Sequence, residues 1–515
     1  MTDRSYITTT IPYVNARPHL GHALEFVQAD VLARHYRRRG GEVRFQTGTD
    51  DNSLKNVLAA AEAGASVPEF VDANAAGFAA LAGPLGLSFD DLIRTSSDPR
   101  HRPGVERLWR ACAASGDLYR KHYEGLYCVG CEQFYLPSEL AGGRCPEHGT
   151  EPQLVAEENW FFRLSRYGDA LLAAVDSGRL RIEPAGRRHE VRSFIAAGLD
   201  DFSVSRSVHR ARGWGIGVPG DPGQVIYVWF DALGNYVTAL GYGFGDDGVD
   251  RWWTGAGRRV HLLGKGVIRF HAVYWPAILL SAGLALPTDI LVHDYLTVAG
   301  QRISKSGGNA VDPVALVDEA GTDALRWWLL REVPRTGDCD FTVRRLIARA
   351  DDELANGIGN LVHRVLSLVH RYRDGHVPYG AEFTDSAENA DGAELASARA
   401  AVAGAVDAAL AAGDFRSATA AVWAIADEAN KYVNQARPWQ LAAAERDGDP
   451  AAGSRLDAVL ALLVAACRDL GQELGPFLPG LAARITAQCA SSSPDGRLPA
   501  PAPVFARLTP RHSPG

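Results

Sequence analysis

Residues 6–11, "YITTTI", are β-branched or aromatic at every position and carry no charge, the composition of a buried strand. A loop, "PYVNARP", follows. The stretch "HLGHALEFVQADVLARHYRRRG" then spaces its apolar residues with helical period and ends at Gly40–Gly41. "EVRFQTGTD" reads as a second strand. Strand, turn, helix, strand is the opening of a parallel α/β sheet. In such a sheet ligands bind outside the carboxyl ends of the strands. Helix N-termini there offer phosphate free N–H groups and the positive end of the dipole.

At 515 residues the chain is too long for one core, so roughly two to four domains are expected. The expected fold is α/β: a Rossmann-like parallel-sheet domain carrying a small insertion, followed by an α-helical bundle. The sheet domain occupies 1–116 and 211–295. Between them, Pro-, Gly- and Cys-containing sequence over 117–210 breaks the rhythm as an insertion. "QVIYVWFDAL", "VHLLGKG" and "DILVHDYLTV" resume strand-like runs, and a loop region follows over 296–345. Residues 346–488 are Ala-, Leu- and Arg-rich with helical spacing and read as a bundle. The Pro- and Ser-rich end, 489–515, reads as a tail that is mostly disordered or loosely docked.

The chain has no apolar run of the roughly 18 residues that a membrane helix needs, and its N-terminus lacks a basic-then-apolar export pattern. A cytoplasmic protein without a membrane partner is expected. Because no appended dimerisation domain follows the bundle, it is expected to be a monomer. The net charge of −8 neither advertises nor excludes a nucleic-acid partner, since local basic faces matter more than the sum. Lysine is scarce, confined to Lys55, Lys121, Lys265, Lys305 and Lys431, which draws attention to Lys265 and Lys305.

Three patterns carry chemistry. "PHLGH" (18–22) sits between strand and helix, where His19 and His22 can donate to phosphates and Gly21 permits close approach; the bland reading is two ordinary helix-start histidines. "GQRISKSGGN" crowds Arg302, Ser304, Lys305 and Ser306 before two glycines, a loop able to embrace phosphates or simply a solvated one. Cys128-x-x-Cys131 and Cys145-x-x-His148 have the spacing of two knuckles closing a tetrahedral Zn²⁺ site, with free thiols or a disulfide as alternatives. Four protein ligands leave no open position, so such a zinc is structural. The remaining cysteines, Cys112, Cys339, Cys467 and Cys489, read as buried packing. In the bundle, Arg364 and Arg371 share a helix face, and Trp439 follows "ARP". This is either a grip for single-stranded RNA or a solvated charged face with a core Trp.

"HLGH" and "RISKS" together resemble the HIGH and KMSKS signatures of class I aminoacyl-tRNA synthetases. "IPYVNARPHLGH", "TGTD", "YEGLYCVGCEQFY", "NWFFRL", "YVWFDAL", "LLGKG", "FHAVYWP", "ALRWWLL" and "NQARPW" extend the resemblance, over nearly the whole chain, to the methionyl-tRNA synthetases. The resemblance implies methionine activation by ATP with Mg²⁺ and transfer to methionine tRNA. It assigns catalysis to His19, His22, Lys305 and Arg302, and ATP contacts to Gly21, Glu25, Gly264, Ser304 and Ser306. A methionine pocket would comprise Ile11, Tyr13, Trp229, Ala232, Leu233, Tyr236, Val267 and His271, with Asp50 on the ammonium group. Aromatic and aliphatic walls suit a polarizable thioether, although Trp229 and Tyr236 taken singly read as core. The resemblance also implies zinc at Cys128, Cys131, Cys145 and His148, and anticodon recognition by Asn360, Arg364 and Trp439.

Several positions depart from the family. Its Asp-Glu-His-Gly is here Asp50-Asp51-Asn52-Ser53, and Asn52 cannot carry a histidine's charge. Ser53 is expected to be strained if the family glycine uses positive φ. Gly-Lys-Asp is Gly264-Lys265-Gly266, and a lost charged hydrogen bond is worth roughly 1.5–3 kcal/mol. Lys-Met-Ser-Lys-Ser is Arg302-Ile303-Ser304-Lys305-Ser306. Alternatives are therefore an adenylating relative with another amino acid or acceptor, for which Leu233 and Val267 are the positions to compare, or a silent tRNA-binding protein.

Overall fold

The computed structural model describes residues 4–130, 133–147, 149–303, 309–378, 392–491 and 496–508. The chain divides into two compact units. One comprises residues up to 83 together with 87–295 and 303–311; the other comprises 84–86, 296–302 and 312 onward.

The first unit is built on a six-stranded, wholly parallel sheet. Its strands are β1 (Arg4–Thr9), β2 (Glu42–Thr49), β3 (Asp91–Arg94), β4 (Arg181–Glu183), β5 (Arg258–Gly264) and β6 (Asp289–His293), in the order β3-β2-β1-β5-β6-β4. The chain winds outward from β1 through β2 and β3, and the other three strands lie on its opposite side. The order reverses between β1 and β5, the switch point at which such sheets open a ligand crevice at their carboxyl edge. "HLGH", "TGTD" and "LLGKG" all follow strands on that edge. The opening helix α1 (Leu20–Arg38) lies where its periodicity placed it, and Gly40 terminates it with φ +83°.

Two features depart from the expectations. The edge strand β4 comes from inside the 117–210 insertion, because three residues carry too short a pattern to read. "VWFDAL", expected as strand, is the start of helix α2 (Val228–Thr238), and only Asp221–Ile226 before it is extended. All but one of the helix's residues are buried, so neither its apolar run nor its β-branched content distinguishes helix from strand. The rest of the insertion includes a four-stranded antiparallel sheet built on Leu118–Cys128 and Gln153–Phe162.

The second unit is mostly helical. It includes α3 (Asn360–Arg373), α4 (Phe415–Ala436), α5 (Pro438–Arg446), α6 (Pro450–Glu473) and α7 (Pro479–Cys489). Leu361, Val362, Val365, Leu366 and Val369 form the buried stripe of α3. Helix α6 is long and apolar enough to cross a membrane by length and composition, but Leu456, Leu460, Leu463, Cys467 and Leu470 are fully buried inside the bundle. Arg326 is buried as well, its guanidinium donating to the carbonyls of Phe477, Leu85 and Pro476 at 2.7–3.0 Å. The tail corrects the sequence reading: residues 497–508 are docked on the bundle, with Leu498 and Val504 buried. Cys112, Cys339, Cys467 and Cys489 are buried, as expected.

Candidate active site

His19 is the N-cap of α1, and its ring turns back over the first turn. Gly21 N–H donates to His19 Nδ1 at 3.1 Å, and His19 N–H donates to His22 Nδ1 at the same distance. The two rings stack at 3.9 Å between centroids. Each Nδ1 is an acceptor, so each neutral ring carries its proton on Nε2. Desolvation, and then the neighbouring His19, push the His22 imidazole well below its ordinary range. The pair therefore presents two neutral N–H donors. Gly21 also leaves room for the His19 ring: a Cβ there would stand 3.0 Å from it.

Leu20 N–H donates to Val311 O at 2.9 Å, which ties the first turn of α1 to the segment just after "RISKSGGN". Ile303 is buried. Ser304, Lys305 and Ser306 lie outside the described residues, and Arg302 ends a short antiparallel strand in the second unit. Glu25 spans the switch point. Its Oε1 accepts from Thr10 N–H and Oγ1 at 2.7 and 2.5 Å, and its Oε2 lies 3.1 Å from His293 Nε2. These bonds make Glu25 a brace between the ends of β1 and β6. Gly264 lies beside His293, where a Cβ would come within 3.3 Å of the ring. Lys265 Nζ is 3.8 Å from Asp294 and lies over the Tyr295 ring, and Gly266 is exposed in the short turn that follows.

Asp50 follows β2, is buried, and pairs with Tyr13 across an isolated parallel bridge. The loop behind it is heavily bonded. Asp51 accepts from Thr49, Ser96 and the Arg94 guanidinium at 2.6–3.1 Å, and its carbonyl accepts from Trp214 Nε1 at 2.8 Å. Asn52 N–H reaches Asp50 Oδ1 at 3.3 Å, while Asn52 Nδ2 donates to Asp231 Oδ2 at 2.7 Å. The other Asp231 oxygen is 2.5 Å from His101 Nε2. His101 and Asp231, both fully buried, were not evident from sequence; no motif links positions so far apart in the chain. The strain expected at Ser53 is absent. With φ −72° it is the N-cap of the helix Leu54–Glu62, its Oγ accepting from Lys55 N–H at 3.0 Å.

The proposed pocket residues converge. Trp229 stands edge-on to Tyr13 and to His271, and stacks face to face on Phe270 at 3.7 Å. The sequence reading did not single out Phe270, which backs Trp229. His271 Nδ1–H donates to Val267 O at 2.9 Å, so Nε2 accepts the Tyr236 hydroxyl at 2.8 Å. Burial lowers the His271 pKa to about 4 and pushes the Tyr236 phenol well up, so both are neutral at pH 7. Ala232 and Leu233 are buried on α2 and Val267 is half-buried. Ile11 packs against Gly48, where a Cβ would stand 2.9 Å from its Cγ2. The lining is apolar and aromatic, and its polar atoms on Tyr236 and His271 are bonded to each other.

Cys128 and Cys145 are buried together with Tyr135 in a core of their own. Cys131 and His148 lie outside the described residues, and among the described residues no cluster of three metal-ligating groups occurs. In the second unit, Arg364 donates to Asn434 Oδ1 and Asn430 Oδ1 at 3.3 and 3.2 Å, and burial lowers its pKa. Asn360 is exposed at the start of α3. Trp439 is 43% exposed, which removes the core reading; Arg437, at φ +45°, makes the turn that sets it on α5.

The model of the class I tRNA synthetases (M) matches residues 5–154 and 136–366. The methionine–tRNA ligase of Mycobacterium bovis is 40% identical over 530 residues, spanning 99% of this chain and 99% of that protein. That of Brucella suis biovar 1 is 39% identical over 527 residues, spanning 98% of each. The solved structure of Mycobacterium tuberculosis methionyl-tRNA synthetase in complex with methionyl-adenylate superposes with a TM-score of 0.90 at 38% identity, covering 98% of this chain and 100% of that one.

Proposed function

We infer the reaction from one premise: this chain belongs to the methionine–tRNA ligases, the methionine branch of the class I aminoacyl-tRNA synthetases. It joins the carboxylate of L-methionine to the α-phosphate of ATP, releases pyrophosphate, and transfers the methionyl group from the adenylate to methionine tRNA. The observation that carries this reading is the carboxyl edge of the sheet. There the stacked His19–His22 pair, the buried Asp50 and the Trp229–Tyr236–His271 pocket gather around one switch point.

The residue roles are proposed on that arrangement for the residues in it, and on the family resemblance for the rest. ATP enters as its Mg²⁺ complex. His19 and His22 give their Nε2–H groups to the charge that builds on the phosphates as the carboxylate attacks. Lys305 and Arg302 act as cations on the pyrophosphate side, with Gly21, Glu25, Gly264, Ser304 and Ser306 shaping the nucleotide site. Asp50 takes the methionine ammonium, and the aromatic walls take the thioether. Asn360, Arg364 and Trp439 read the anticodon, the last by stacking. The test is charging: methionine is attached to methionine tRNA, and changing its anticodon abolishes the transfer. Equal charging of both tRNAs would refute the anticodon role.

Zinc is proposed at Cys128, Cys131, Cys145 and His148, in a structural role. The support is the size of the local core: among the described residues it has three buried members. So small a core needs a further cross-link to hold. A strong chelator is expected to release one zinc per chain and to loosen the segment 125–150 to proteolysis. Full protease resistance after zinc release would remove the structural role. None of the six described cysteines is in a disulfide, which suits the reducing cytoplasm. The protein is read as a monomer that engages no membrane; burial of the apolar face of α6 inside the bundle supports the second part.

A further inference from the structure

One side chain grips a whole face of helix α2. His101, fully buried at the start of the helix His101–Ala114, has Nε2 2.5 Å from Asp231 Oδ1 and Nδ1 2.8 Å from Thr238 Oγ1. Asp231 and Thr238 are two turns apart on one face, so the imidazole bridges most of the helix. By the same helical spacing Ala232, Leu233 and Tyr236 lie on the opposite side. The two helices touch closely around the grip. A Cβ on Gly104 would stand 2.4 Å from Thr238 Cγ2, and one on Gly234 would stand 3.3 Å from Val105 Cγ2.

The second Asp231 oxygen reaches out of this helix pair. It accepts from Asn52 Nδ2 at 2.7 Å, and Asn52 N–H reaches Asp50 Oδ1 at 3.3 Å. Asn52 thus touches both the carboxylate read as the ammonium site and the helix that carries the pocket. In a closely packed interface, a buried polar link adds little net stability over apolar residues of similar volume. It does restrict the packing to one register, because a slide of α2 would leave buried polar atoms unpaired.

We propose that Asp231, gripped by His101 and bonded to Asn52, is a positioning residue that sets the distance between the ammonium site and the thioether pocket, and so the side-chain length the enzyme accepts. This rests on the reading of Asp50 and the Trp229–Tyr236–His271 pocket as the methionine site.

The test is pyrophosphate exchange driven by methionine, by its S-ethyl homologue ethionine, and by norleucine, which has methionine's length without the sulfur. A fitted pocket discriminates against one extra methylene by roughly 10–200-fold in kcat/KM. Asn52→Ala, and Asn52→Leu of similar volume, cut the link alone, at a half-buried position whose loop Arg94, Ser96 and Thr49 hold through Asp51. Either variant is expected to lower the methionine-over-ethionine ratio about tenfold, within that range, and to leave the methionine-over-norleucine ratio and the ATP KM unchanged. Asp231→Asn offers an acceptor to Asn52 and a donor to His101, whose proton can sit on either nitrogen, and should keep the ethionine ratio. A merely structural role would lower kcat/KM for all three amino acids by one factor. That result, or an unchanged ethionine ratio in both Asn52 variants, overturns the proposal. Equal narrowing against norleucine would place the effect on the sulfur contacts and overturn it too. No methionine-driven exchange in the unmodified protein, or a methionine KM unchanged by Asp50→Asn, would refute the site reading itself, and the proposal falls with it.

Discussion

His22→Ala is expected to slow methionine-dependent pyrophosphate exchange by roughly 10²–10³-fold, the usual cost of removing one preorganised donor from a developing anion. The loss should fall on kcat, with the KM of ATP and methionine little changed, because the donor meets charge that exists only in the transition state. His22 is held neutral by desolvation and by the stacked His19 ring, so its contribution should stay flat from pH 6 to 8. A cationic role would instead make the rate fall as pH rises through that window. The same burial gives the fold an acid-sensitive element. His22, His261 and His271 all have lowered folded pKa values, that of His271 to about 4. Unfolding therefore takes up protons below the ordinary histidine value near 6.5, and stability falls as pH drops from there toward 4. A kcat unchanged in His22→Ala would remove the histidine pair from the chemistry.

Asp50→Asn is expected to act on binding. Replacing a carboxylate that meets an ammonium group by a neutral amide loses a charged hydrogen bond worth roughly 1.5–3 kcal/mol, about 10- to 150-fold in methionine KM. The KM of ATP should hold. The backbone should hold too, since Asn56 Nδ2 bonds the Asp50 carbonyl and Asp51 is locked independently by Arg94, Ser96 and Thr49. Equal losses for methionine and for an analogue lacking the amino group would contradict the assignment, since only methionine has the ammonium to lose.

Much of this site was legible because its parts lie beside compositionally plain elements. "YITTTI" and "EVRFQTG" are strands by residue type, and the motifs after them fall on the carboxyl edge once the sheet is parallel. Other features had no sequence signal. The three-residue strand Arg181–Glu183 and the buried helix Val228–Thr238 carry no period that would distinguish strand from helix. The Asn52–Asp231–His101 chain joins positions 130 residues and more apart, so only folding reveals that Asn52 ties the Asp50 loop to the pocket helix. Ser53 looked strained by comparison with a glycine, yet its conformation suits any residue, and its hydroxyl caps a helix. The tail's Pro and Ser content hid a strap whose backbone bonds side chains and carbonyls scattered over the bundle. Composition reports solvation, and not such pairings.

The central claim, that this site activates methionine, is tested most directly by amino-acid-dependent exchange of pyrophosphate into ATP across the standard amino acids. Exchange that depends on methionine, with the others near background, is the predicted result. Exchange driven by a different amino acid, or by none, would contradict it.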